Sequence, residues 1–238
     1  MEQHHIKVLY FQDDTFTANR KMVHALADYI IKKGYNQKVE IMVSSRVDTV
    51  DLDTMLKMRQ AGVRWICYGV ESGNQDILNR MQKKITIAQI RDAFQIARKA
   101  GLFIAGNYMI GHIGETTDTI MDTINLACEL DQDYASFAIA IPLPGTGLYQ
   151  YCLEEKIPLP TWNDFGSLNT PPIPLNKPLS ADELLKLRRL ATNRFFKRPS
   201  YLLKLLWRFN WRALISDFAK MYFVLRAENQ ANRYWPGK

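Results

Sequence analysis

The sequence predicts an α/β fold wound around a parallel sheet. Five short apolar runs rich in β-branched and aromatic residues alternate with five segments of helical period, and each run ends in acids, serines or glycines. Strands alternating with helices are joined by right-handed crossovers, which makes neighbouring strands parallel and brings all their C-terminal ends to one rim. Glycines at 34, 62 and 101 close successive helical segments, which fixes where each repeat stops.

Taken in order, Ile6 to Phe11 reads as the first strand and runs into Gln12-Asp13-Asp14-Thr15. Asn19 to Lys33 carries Met22, Val23, Leu26, Ile30 and Ile31 at helical spacing. Val39 to Val43 is the second strand, ending at Ser44-Ser45-Arg46, and Asp51 to Gln60 the second helix. Val63 to Val70 is the third strand. Thr86 to Ala100 is a helix with Ile87, Ile90, Phe94 and Ala97 on one stripe; Leu102 to Ile110 is the fourth strand, breaking into Gly111-His112-Ile113-Gly114-Glu115-Thr116. Ile120, Ile124, Ala127 and Leu130 mark the next helix, Tyr134 to Ile141 the fifth strand, and Gly147 to Glu155 a short closing helix.

The third strand is the centre of the pattern. Side chains alternate along a strand, so Trp65, Cys67, Gly69 and Glu71 share one face, with Glu71 last, at the mouth where parallel α/β folds place ligand-binding groups. The alternative is helix capping: Ser72 or Asn74 caps the helix that follows, and Glu71 sits near its dipole. On this stretch alone both readings stand. Polar or glycine-rich groups recur at all five strand ends (Asp13/Asp14, Ser45/Arg46, Glu71/Ser72, Gly111 to Glu115, Pro142 to Thr146), and that recurrence favours a functional mouth. No GxGxxG fingerprint and no P-loop is present, so dinucleotide and nucleoside-triphosphate readings lack support.

Residues 1–156 form this repeating region, 157–179 a proline-rich connection and 180–238 a basic helical C-terminal region, opened by a capping box from Ser180 to Glu183 and with a helix ending before Pro199. The net charge of +7 is uneven: from Ser180 onward 13 Lys/Arg face 4 Asp/Glu, while the rest is slightly acidic. Lys204, Arg208 and Arg212 beside Trp207, Phe209, Trp211 and Tyr222 suit either packing on the sheet with a solvated basic face or peripheral contact with an anionic membrane. Charge alone does not make a nucleic-acid module, and none is expected. No apolar run of about 20 residues occurs. Three scattered cysteines, Cys67, Cys128 and Cys152, show neither a disulfide framework nor a metal-binding spacing, so a cytoplasmic protein with buried thiols and no metal site of its own is expected.

Five ordered motifs carry a resemblance: Phe11-Gln12-Asp13-Asp14-Thr15-Phe16, Ser45-Arg46-Val47-Asp48, Gly69-Val70-Glu71-Ser72-Gly73, Ile110-Gly111 through Gly114-Glu115-Thr116, and Pro144-Gly145-Thr146. Together, over about Ile6 to Glu155, the chain resembles the core of the radical S-adenosylmethionine superfamily, of the type usually preceded by a cobalamin-binding domain. The resemblance implies a partial TIM-type (β/α) barrel with a C-terminal helical extension, and chemistry that begins with reductive cleavage of S-adenosylmethionine at a 4Fe-4S cluster and goes on to methylate or rearrange a substrate carbon. Carried over by position, Asp13 and Asp14 lie where the family contacts the methionine ammonium, Ser45 and Arg46 near its carboxylate, Glu71 and Ser72 at the ribose, and Gly111, Ile141 and Pro142 at strand ends bordering the adenine. An ammonium suits a carboxylate and ribose hydroxyls suit a bidentate acceptor.

The family holds its cluster with CxxxCxxC on the loop after the first barrel strand, and this sequence has no such motif. The resemblance therefore implies a barrel missing its first β/α unit, without the cluster ligands or a cobalamin domain. One expectation is a core fragment, inactive until a missing segment or companion chain supplies the cluster, acting on a small-molecule or lipid-like substrate that the sequence does not identify. The other is a barrel remnant acting as a binding or peripheral membrane-associated protein. No catalytic residue is assigned on either.

Overall fold

The computed structural model describes residues 6–159, 172–175 and 179–208. Five strands, β1 (Val8–Phe11), β2 (Glu40–Ser45), β3 (Val63–Glu71), β4 (Phe103–Ile110) and β5 (Tyr134–Ile139), form one parallel sheet in the order of the sequence. That order decides the architecture. When every right-handed crossover steps in the same direction, all connecting helices fall on one face, as in a (β/α) barrel; a doubly wound sheet needs a reversal of strand order. The fold is therefore the α/β, partial-barrel type that the sequence implied.

The helices are α1 (Arg20–Lys32), α2 (Leu52–Gln60), α3 (Gln75–Arg80), α4 (Ile87–Lys99), α5 (Thr117–Glu129), α6 (Gly147–Glu154), α7 (Ala181–Phe196) and α8 (Pro199–Arg208). Their starts are written locally: Asn19, Asp51, Asn74, Thr86, Thr116, Thr146 and Ser180 each cap the helix that follows with a side-chain oxygen, three of them in reciprocal capping boxes. Pro199 opens α8, where its missing N–H costs nothing. The short α3 is the helix that the capping reading of Ser72 or Asn74 expected. Strand β2 runs two residues past its predicted end, to Ser45, and β5 stops two residues before Ile141.

The two faces of the sheet differ. Ile41, Val43, Ile66, Tyr68, Val70, Ile104, Tyr108, Ile110, Ala135 and Phe137 are buried with Val23, Ala27, Met55, Met58, Ile90, Phe94, Ile120 and Ile124 of the helices in one core. The opposite, half-exposed face is graded along the strands. Tyr10, Met42, Trp65 and Phe103 stand side by side in register, and the Trp65 and Phe103 rings meet at 3.6 Å between centroids. Next come Ser44, Cys67, Ala105 and Tyr134, then Gly69, Asn107 and Ser136. Burial pushes the Cys67 thiol up to about 11, so it is a neutral thiol here.

The C-terminal helices attach at both ends of the sheet. Leu184 of α7 covers Gly111 at the C-terminal rim, its methyls 3.1 and 3.3 Å from where a Cβ would stand. At the N-terminal end, Asp133 (5% side-chain exposure) meets Arg98 of α4 at 3.1 Å and Lys204 of α8 at 3.2 Å, accepts the Ile104 N–H at 2.8 Å, and its carbonyl accepts from the Tyr201 hydroxyl. Lys204, expected on a basic outward face, is instead spent on Asp131 and Asp133. The rest of that face, like most of the proline-rich connection, lies outside the described residues or side chains. No helix among the described residues is long and apolar enough to cross a membrane.

Candidate functional site

Strand β3 ends in a sharp reversal rather than a fraying extension. Its register against β4 shifts between Gly69 and Glu71, Glu71 has φ +68°, and the Ser72 N–H returns to the Val70 carbonyl at 3.0 Å. A bond from residue i+2 to residue i around a positive φ is the rare form of γ-turn, and a non-glycine residue held there stores on the order of 1–3 kcal/mol of strain. The turn lays the Glu71 carboxylate back over the open face: Oε1 lies 2.7 Å from where a Cβ on Gly69 would stand. Glu71 thus joins the face of Trp65, Cys67 and Gly69, as alternation predicted. The capping reading also holds, at the second of the two residues it named: Asn74 caps α3 through the N–H groups of Asp76 and Ile77.

The partner of Glu71 is a residue that sequence reasoning missed. Lys83 Nζ lies 2.8 Å from Glu71 Oε1, with the two side chains 20% and 22% exposed, and 3.1 Å from the same vacant Cβ position of Gly69. The loop that brings it there is itself unusual, since Gln82 and Lys84 on either side both have positive φ, 53° and 55°. Arg46 anchors that loop by donating from Nη2 to the Lys83 carbonyl at 3.0 Å. The same Nη2 and Nε grip Asp48 two-pronged, at 2.8 and 2.9 Å. That hydrogen-bonded pairing holds the Asp48 carboxyl below the usual carboxylate range and raises Arg46. A basic residue in the link between α3 and α4 is visible in the sequence, but nothing there separates Lys83 from Lys84.

The other expected residues divide by location. Asp13 and Asp14 are exposed on the turn after β1. Ser45 is buried, its hydroxyl packed against those of Thr17 and Thr49, and so faces the helix side of β2. Ser72 is fully buried against Thr123 of α5. Gly111 and Pro142 are buried and Ile141 half-buried at the ends of β4 and β5. The structure therefore brings Glu71, Lys83 and Gly69 together on the open face, with Arg46 beside them, and turns Ser45 and Ser72 away from it.

Glu115 is a second residue the sequence did not single out as a site. It is 1% exposed, and its Oε2 accepts the His112 N–H at 2.9 Å, tying the 111–115 loop into a ring. Burial pushes its carboxyl up to about 7 against the pull of the His112 and Gly111 N–H groups. The three thiols are scattered over β3, α5 and α6, and among the described residues no three His, Cys, Asp or Glu side chains converge as a metal site.

Comparison with known proteins bears on residues of this same region. The family model of the Radical SAM superfamily matches residues 1–127. An uncharacterized methyltransferase of Pyrococcus horikoshii is 34% identical over 200 residues, covering 84% of this chain and 43% of that protein. The anaerobic magnesium-protoporphyrin IX monomethyl ester cyclase of Cereibacter sphaeroides is 27% identical over 226 residues, covering 94% of this chain and 35% of that one. The chain thus spans less than half the length of these curated relatives. Coproporphyrinogen III oxidase of Escherichia coli superposes with TM-score 0.57 at 19% identity, covering 80% of this chain and 41% of that chain. A radical S-adenosylmethionine methyltransferase of Kitasatospora setae, solved with cobalamin and a 4Fe-4S cluster, gives 0.55 at 15%, covering 74% and 37%. Both likenesses concern the fold.

Proposed function

The chain belongs to the radical SAM superfamily, and from that premise we propose that the C-terminal rim of its sheet is a binding site for S-adenosylmethionine within a radical methyltransferase or a related enzyme. The observation that carries this reading is the Glu71–Lys83 pair held over Gly69. It sets an acceptor and a cation side by side at the mouth of the open face, where the ligand offers two hydroxyls and a carboxylate.

Each side chain has a part in that reading. Glu71 accepts from the ribose hydroxyls through the oxygen that Lys83 leaves free. Lys83 is the cation for the ligand's carboxylate, because it lies over Gly69 on the open face while the charge of Arg46 is answered by Asp48 through Nε and Nη2. Asp13 and Asp14, exposed after β1, accept from the ligand's ammonium. Gly111, Ile141 and Pro142 border the adenine. Ser45 and Ser72 serve from behind the sheet, as struts.

When bound at a 4Fe-4S cluster, S-adenosylmethionine supplies a carbon-centred radical by reductive cleavage. The three thiols of this chain do not fit such a cluster: they lie on β3, α5 and α6, and the Cys67 thiol is held neutral. In this reading the cluster ligands belong to another segment or a companion chain. The same holds for cobalamin, and the substrate is a small or lipid-like molecule. The test is calorimetric titration of the purified chain with S-adenosylhomocysteine. Binding that is lost in both Glu71→Ala and Lys83→Met, with the far-ultraviolet circular dichroism unchanged, supports the site; full affinity in both variants overturns it.

A further inference from the structure

We propose that Thr123, fully buried in α5 behind the sheet, is a positioning residue that sets the Glu71 carboxylate over the open face; its consequence for ligand binding rests on the function proposed above. The argument is an accounting of protons. The Thr123 hydroxyl has one proton to give and two lone pairs to offer. It lies 3.2 Å from the Thr119 carbonyl, which can only accept, so the proton goes there. The Gly73 N–H donates to Thr123 Oγ1 at 2.9 Å. Ser72 Oγ, 3.2 Å from the same oxygen, must then be a donor to it, and Ser72 Oγ in turn accepts the Asn74 N–H at 3.1 Å. The chain of bonds has one direction, from the Asn74 N–H through Ser72 and Thr123 to the Thr119 carbonyl.

Two further contacts show that α5 is the template for the turn. A Cβ on Gly73 would stand 2.5 Å from the Asp122 carbonyl oxygen and 2.6 Å from Thr123 Cα, so the two backbones touch and only glycine allows it. Asn74 Nδ2 donates to Asp122 Oδ2 at 2.8 Å, while its Oδ1 caps α3, the helix that leads to Lys83. Thr123 and Asp122 therefore hold both arms of the site, the turn carrying Glu71 and the helix leading to Lys83. A positive φ at Glu71 persists only where its surroundings over-determine it. Removing the Thr123 hydroxyl strands the buried Ser72 hydroxyl and the half-buried Gly73 N–H and lets Glu71 relax to an ordinary extended conformation, which swings the carboxylate off Gly69.

The test uses two readouts on the full chain. First, reactivity of Lys83 toward an amine acetylating reagent, read by mass spectrometry without any ligand: in Thr123→Val, which keeps the side-chain shape, Lys83 should label several-fold faster than in the parent because its carboxylate partner has moved, and Thr123→Ser should restore the slow rate. Labelling of Lys83 at the parent rate in folded Thr123→Val overturns the proposal outright. Second, the affinity ratio of S-adenosylhomocysteine to its 2′-deoxyribose analogue: Glu71→Ala should abolish the preference for the ribose form, and Thr123→Val should reduce it by about tenfold, the scale of a buried donor left unsatisfied. A ribose preference that survives Glu71→Ala sinks the ribose reading and leaves the labelling result to decide Thr123. A preference lost in Glu71→Ala but kept in Thr123→Val sinks the positioning role alone. Should Thr123→Val not fold, Asp122→Ala, an exposed change that frees Asn74, takes its place with the same expected outcome for Lys83.

Discussion

Arg46 donates to the main-chain carbonyl of Lys83 across 3.0 Å, joining the end of β2 to the loop between α3 and α4. The guanidinium is thus a bracket for the loop that carries the site's cation. Its charge is already answered by Asp48 two residues away.

If Arg46 works through Lys83, its planar fork matters more than its charge. Arg46→Lys keeps the charge but cannot hold Asp48 two-pronged and reach the carbonyl as well. Affinity for S-adenosylhomocysteine should fall by several-fold, less than in Lys83→Met, and melting should move by only a few degrees. A titration series of the two variants beside the parent decides it. An Arg46→Lys loss equal to that of Lys83→Met would return Arg46 to direct contact with the ligand.

Gly69 leaves the room in which the Glu71–Lys83 pair sits. Gly69→Ala places a Cβ 2.7 Å from Glu71 Oε1 and 3.1 Å from Lys83 Nζ, both ends of flexible side chains, so the fold should survive with a stability loss of about 1 kcal/mol or less. Ligand affinity should drop at least tenfold. Denaturant unfolding and calorimetry on the same sample separate the two effects, and unchanged affinity would show that the pair need not lie over β3 to bind.

Glu115 makes stability depend on pH with a sign opposite to that of an ordinary paired carboxylate. Its folded value, about 7, is raised above an unfolded value near 4.5, so its contribution is fully present below about 4.5 and is lost as pH rises to 7. The gap corresponds to about 3 kcal/mol. Glu115→Gln, a neutral near-isostere, should flatten this window and unfold at higher denaturant than the parent at pH 8. Parallel urea curves for parent and variant at pH 4.5, 6 and 8 measure the difference, and a parallel offset at all three would refute it.

The network at Asp133 locks α8 to the N-terminal end of the sheet. Asp133→Asn removes the buried carboxylate from Arg98 and Lys204, which both keep Asp131, and should cost about 1–2 kcal/mol, less than the about 3 kcal/mol of stranding a buried charge outright. Lys204→Met should cost less and should expose α8 to limited proteolysis. Neither change should alter binding to anionic vesicles if Lys204 serves only this lock. A drop in vesicle binding in Lys204→Met, measured by co-sedimentation, would revive the membrane role considered from the sequence.

The order of elements, the helix caps and the alternation that separates a helix-covered face from an open one are local or periodic properties, and the sequence determined them: Asn19, Asp51, Thr86, Thr116 and Ser180 cap where they stand, and Ile66, Tyr68 and Val70 bury against the helices. The strand-end motifs and the family that they resemble were legible for the same reason, since each lies within a few residues of chain. Alternation alone also leaves Ser44 on the open side with Ser45 inward, and puts Glu71 on the open face with Ser72 behind it. Tertiary structure decided the form of the β3 end, where a register shift and a positive φ lay the Glu71 carboxylate back over Gly69. It also brought in Lys83 from twelve residues along the chain, and Thr123 from a helix that shares no motif with β3. Such pairings depend on how closely α5 and β3 pack, down to the missing Cβ of Gly73, and a distance of that kind exists only once the chain has folded.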